Sequence, residues 1–72
     1  MEKETKNLIE GLLDEMNRAR EMITEYQSLP KNAGAFTCMM IQKDISRAEK
    51  AIVSGDTIQM IACYKVLKEY ES

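Results

Sequence analysis

Residues 51–60 read "AIVSGDTIQM" and interrupt a chain of 72 residues that is otherwise helical in pattern almost throughout. Their reading decides between a catalytic or phosphate-binding loop and a joint between two helices. Gly55 follows the last periodic apolar residues of one segment and suits the left-handed position just past a helix end. Asp56 suits the start of the next helix, because its carboxylate accepts from free first-turn amides. Gln59, three residues on, completes an Asp-x-x-Gln variant of the capping box. A phosphate loop needs more glycines and a Lys-Ser or Lys-Thr pair, and Asp56 would repel the anion. A nucleophilic Ser54 needs a base, and the chain contains no histidine. Gly55 and Asp56 are therefore structural caps, and the fold is a row of helices.

Working back from this joint, Cys38, Ile41, Ile45, Ala48 and Ile52 form the stripe of a helix over about 33–53, with Met39 and Met40 widening it. Upstream, "SLPKNAGAF" breaks the pattern: Pro30 cannot continue a helix and Asn32 can cap the next one. Before it, Leu8, Ile9, Leu12, Leu13, Met16, Ala19, Met22, Ile23, Tyr26 and Leu29 recur at helical spacing over about 4–29. Gly11 is either tolerated within this helix or allows a close crossing by another. Forward of the joint, Met60, Ile61, Tyr64, Leu67 and Tyr70 mark a third helix over about 57–70, with Ile58, Ala62 and Val66 alongside. The expectation is one all-α domain over 1–72, a three-helix hairpin bundle with a long first helix. A core of this size leaves only about 3–5 kcal/mol of net stability, and the first helix has surplus apolar length, so homo-oligomerisation is expected to complete it.

Net charge is −2, split as −3 over residues 1–30 and +1 over 31–72. This balance argues against non-specific duplex DNA binding, which rests on phosphate neutralisation. The third helix offers few base-reading groups, which disfavours helix-turn-helix DNA recognition. Two cysteines, Cys38 and Cys63, in a chain with the polar start "MEKETKN" fit reduced thiols and a cytoplasmic protein with an uncleaved N-terminus. With no histidine and no CxxC, no metal site and no cofactor is expected. No apolar run is long enough for a membrane span.

The polar side of the second helix is more informative. Phe36, Met40, Lys43, Arg47 and Lys50 follow at spacings of four, three, four and three, aligning three cations below an aromatic and a methionine. One reading is a solvated face partly paired with Asp44 or with the acidic first helix. The other is an anion-binding strip, with Arg47 as the guanidinium fork, Lys43 and Lys50 as point charges, and Phe36 or Tyr26 stacking on a base.

Residues 39–71, "MMIQKDISRAEKAIVSGDTIQMIACYKVLKEYE", resemble short helical proteins encoded by bacteriophages and prophages. The likeness lies in a Met-Ile pair, Ala48-Glu49, Gly55-Asp56, Met60-Ile61 and Tyr64 to Leu67. It implies an origin and a setting: phage proteins of this size include inhibitors of host CRISPR nucleases and oligomeric sponges for cyclic-nucleotide immune signals. The expected function is a non-catalytic counter-defence protein that sequesters a small anionic nucleotide or blocks a host defence effector. The alternative is a structural or regulatory adaptor acting through helix-on-helix contacts, for which the six methionines supply adaptable surface. An enzyme is the weakest class, since no nucleophile–base pair is present.

Overall fold

Each apolar stripe closes into one helix in the computed structural model, which describes residues 2–30 and 33–70, with side chains from Asn7 onward. Helix α1 spans Glu2–Gln27, α2 Ala35–Ser54 and α3 Thr57–Glu69. They pack in turn against one another as an up-down-up bundle, a rod of 47 × 16 × 16 Å. The expected all-α hairpin bundle with a long first helix is what the chain forms. The core draws on all three helices: Leu12, Met16, Ala19, Met22 and Ile23; Cys38, Ile41, Ile45, Ala48 and Ala51; Met60, Cys63 and Leu67. Both thiols are free and buried.

The joint at Ser54-Gly55-Asp56 serves two helices at once. Gly55 sits at φ 71°, ψ 23°, and its amide donates to the Ile52 carbonyl at 3.2 Å while the Asp56 amide donates to Ala51 at 3.0 Å. This pair of bonds closes α2 as a Schellman motif. The Asp56 carboxylate then accepts from the Gln59 amide at 3.1 Å and opens α3. Because the Asp56 amide is already committed to Ala51, the reciprocal half of a capping box has no donor to accept from.

At the other turn the boundaries shift inward. Helix α1 ends at Gln27 rather than near residue 29, and Ser28 and Leu29 leave through tight bonds to Glu25 and Tyr26, as Pro30 requires. Helix α2 begins at Ala35, two residues later than expected, with Gly34 rather than a polar side chain at its N-cap. Asn32, the expected cap, lies outside the described residues. Gly34 is required by space: a Cβ there would lie 2.6 Å from the Tyr26 Cβ and 3.0 Å from the Tyr26 carbonyl oxygen. Gly11 also has a packing role, since an added Cβ would meet the Tyr64 ring of α3 at 3.3 Å. Helix α1 packs against both α2 and α3 of the same chain, while Leu13 and Leu29 stay about half exposed.

Some apolar residues assigned to the stripes face outward instead. Met39 is 68 % exposed and Ile58 78 %, whereas Ala51 and Cys63 take buried positions on α2 and α3. The stripes are narrower than hydrophobicity alone predicts because three helices give each partner a limited arc to cover. No described helix is long and apolar enough to cross a membrane.

Helix α3 is held at its end by α1. The Arg18 guanidinium donates to the Leu67 carbonyl at 2.8 Å and to the Tyr70 carbonyl at 2.9 Å, and is steadied by Glu15 at 2.9 Å. A cation at a helix C-terminus satisfies free carbonyls and meets the negative end of the dipole. Ile41→Ala is expected to cost about 2–5 kcal/mol in urea denaturation, since it empties a fully buried position, whereas Val53→Ala, 89 % exposed, stays within about 0.5 kcal/mol.

Candidate functional site

The face of α2 that carries Phe36, Met40, Lys43, Arg47 and Lys50 is open to solvent along its length. Phe36 is 73 % exposed, Met40 44 %, and Met39 lies beside them. Burying none of these costs the core nothing, because Cys38, Ile41 and Ile45 supply the inward stripe of the same helix. Their outward display leaves a large apolar surface next to a row of cations.

Arg47 does not stand free. Its Nη1 lies 3.7 Å from Oδ1 of Asp44, one turn earlier. The other oxygen of Asp44 accepts from the Tyr70 hydroxyl at 2.5 Å. Asp44 is thus shared between a surface cation and the last turn of the bundle. Beneath them, burial pushes the Cys63 thiol above its ordinary value; Arg47 pulls the other way and Asp44 adds to the rise. At neutral pH this thiol is a protonated packing group. Burial, and next the bond and charge of Asp44, push the Tyr70 hydroxyl up to about 12.

Arg47 and Lys50 also line an open groove of about 270 Å³ between α2 and α3, with Ser54, Asp56 and Gln59. The Asp56 carboxylate in its wall opposes an anion. Tyr26 is not brought to this side. Its ring lies against Gly34, and it lines a separate groove of about 270 Å³ with Leu29, Ala35, Cys38 and Gln42. That groove shares Gln42 with a hollow bordered by Arg20 and Glu49, whose charged groups are 4.0 Å apart. The structure therefore gathers Phe36, Lys43, Arg47 and Lys50 on one helix and leaves Tyr26 elsewhere.

Three polar residues matter here beyond the expected row. Arg18, Asp44 and Tyr70 tie the three helices together through the two ends of one tyrosine, its carbonyl on α1 and its hydroxyl on α2. The sequence signal was Arg18, a cation one turn from both Glu15 and Met22 at the margin of the α1 stripe. Compared with known proteins, the chain matches no family, no curated protein and no solved structure.

The raised Tyr70 value has a definite sign. A tyrosine in the unfolded chain ionises near 10, so the contribution of Tyr70 to stability is complete below pH 10 and is lost as pH rises through about 12. Near-ultraviolet phenolate titration of wild type minus Tyr70→Phe should show one group ionising near 12, and Asp44→Asn should lower it.

Proposed function

We propose that this protein acts without chemistry of its own, by docking onto another protein through the α2 face that carries Phe36, Met39, Met40, Lys43 and Arg47. The observation that carries this reading is the outward display of Phe36 and Met39, at 73 % and 68 % exposure, on the helix that also holds the cations. Aromatic, methionine and arginine side chains are the residue types that anchor protein interfaces. In the phage setting that residues 39–71 imply, the docked partner is a host defence effector held out of action. In any other setting the same contacts make a helical adaptor.

Nucleotide capture draws less support. A small-molecule site encloses most of its ligand, and Arg47 borders only an open groove with a carboxylate in its wall. Arg47 is also partly neutralised by Asp44, and Tyr26 stands away from the cation row.

A photoreactive benzoylphenylalanine at position 36 tests the reading in a bacterial host lysate. The expected result is one discrete adduct, competed by unlabelled chain and lost when Lys43→Glu and Arg47→Glu are combined. The same adduct from a photoreactive group at position 65, on exposed α3, would overturn it, as would no adduct at all. Thermal melting with cyclic di- and trinucleotides gives the opposing outcome: a rise of several degrees abolished by Arg47→Glu reassigns the face to nucleotide capture. Light scattering of the unmixed chain reads self-association, and a dimer dissolved by Phe36→Asp reassigns it to homo-oligomerisation.

A further inference from the structure

On the side away from α3, helices α1 and α2 form a face that nothing in the chain covers. At its centre is a hollow of about 360 Å³ lined by Arg20, Ile23, Gln42, Ile45 and Glu49. Its floor reaches the buried Ile23 and Ile45. Arg20 Nη1 donates to Asn17 at 3.0 Å, whereas Nη2 lies 4.0 Å from Glu49 Oε2, too far for a hydrogen bond. The Arg20 and Glu49 side chains stay 47 % and 58 % exposed, so each keeps the capacity for a further partner. Helical register extends the face along both helices. Leu13, Asn17, Arg20 and Thr24 follow at steps of four, three and four on α1. Gln42, Ser46, Glu49 and Val53 follow at the same steps on α2, and all eight are exposed. These are the steps of a seam that meets other helices side by side.

We infer that this face is a two-fold interface with a second copy of the chain, the rods parallel and α1 of each copy laid over α2 of the other. A surface that mates with its own copy must carry both halves of every charged contact. This one does: its eight seam residues hold one cation and one anion, Arg20 and Glu49, at the same level of the rod. A two-fold axis along the rod sets Arg20 on the Glu49 of the other copy and Glu49 on its Arg20. Because α1 and α2 run antiparallel, the same axis brings Leu13 near the other Val53, two apolar side chains 42 % and 89 % exposed in one copy. One residue further round each helix, exposed Glu21 on α1 comes to flank exposed Lys50 on the other α2. A two-fold axis across the rod would instead lay α1 on α1 and α2 on α2, like charge on like. In the arrangement chosen, every helix of the four-helix layer is antiparallel to both neighbours, as in an up-down bundle. The rod offers 47 × 16 Å on this side, close to the ~800 Å² per partner that standard interfaces bury. The inference goes beyond the docking reading and is independent of it, since Arg47 turns to the groove between α2 and α3 and stays outside the pair.

Sedimentation velocity over a rising concentration of the full chain tests this, with a dimer expected. Arg20→Glu and Glu49→Arg should each weaken the dimer about tenfold, while circular dichroism shows the fold intact, both positions being exposed. Mixing the two variants should restore a dimer, because opposite charges then meet at both contacts. Chains carrying Leu13→Cys and Val53→Cys, mixed and mildly oxidised, should give a disulfide between positions 13 and 53 of different copies, located by mass spectrometry. A monomer up to submillimolar concentration overturns the inference, as does a dimer indifferent to both charge changes, unrestored on mixing, or dissolved by Phe36→Asp. Absence of the mixed disulfide overturns the α1-over-α2 arrangement. Loss of the position-36 adduct with the dimer intact overturns docking alone, and absence of the dimer with the adduct intact overturns self-association alone.

Discussion

The contact between Arg18 and the end of α3 organises this bundle. One guanidinium, aimed by Glu15, takes up the Tyr70 carbonyl and adds a second donor to the Leu67 carbonyl, which also accepts from the Tyr70 amide. The last turn of a short helix is where a bundle frays, since its carbonyls lack partners and its dipole ends in excess negative charge. Placing a cation from the neighbouring helix there converts the weakest turn into a junction. Tyr70 extends the junction to the third helix, because its hydroxyl lies on Asp44. With 13 buried core residues among those described, several of them alanine, cysteine or methionine, such ties count for more than in a larger protein.

The sequence makes the helices legible and the margins less so. Gly55 and Asp56 could be read directly because cap chemistry is local: a left-handed glycine and a carboxylate three residues before a free amide need only their own neighbours. Gly34 could not, since its requirement comes from Tyr26 across the turn. Met39 and Ile58 were assigned to apolar stripes because periodicity counts hydrophobicity and does not know how wide an arc the neighbouring helices cover. Cys38 and Cys63 read as small core hydrophobes because a reduced thiol without metal partners behaves as one, and both are buried. Of the candidate site, the alignment of Phe36, Lys43, Arg47 and Lys50 follows from spacing on a single helix. The position of Tyr26 depends on tertiary packing, and spacing carries no information about it.

The electrostatic pattern links fold and surface. Acidic residues dominate the outer side of α1 and basic ones that of α2, with α3 seated between them. Asp44 is the exception on its helix, and it is the carboxylate spent on Tyr70 and Arg47 rather than displayed. Internal charge is thereby consumed near the end of α3, while Lys43 and Lys50 stay available at the surface.

The level at which the last turn of α3 is held is set from another helix. Leu67 and Tyr70 are anchored by position 18 of α1, so the cation's place along α1 fixes the axial register of α3 against it. The level at which the last turn of α3 is fixed is thus written in a single position, 49 residues from the Leu67 carbonyl that it holds.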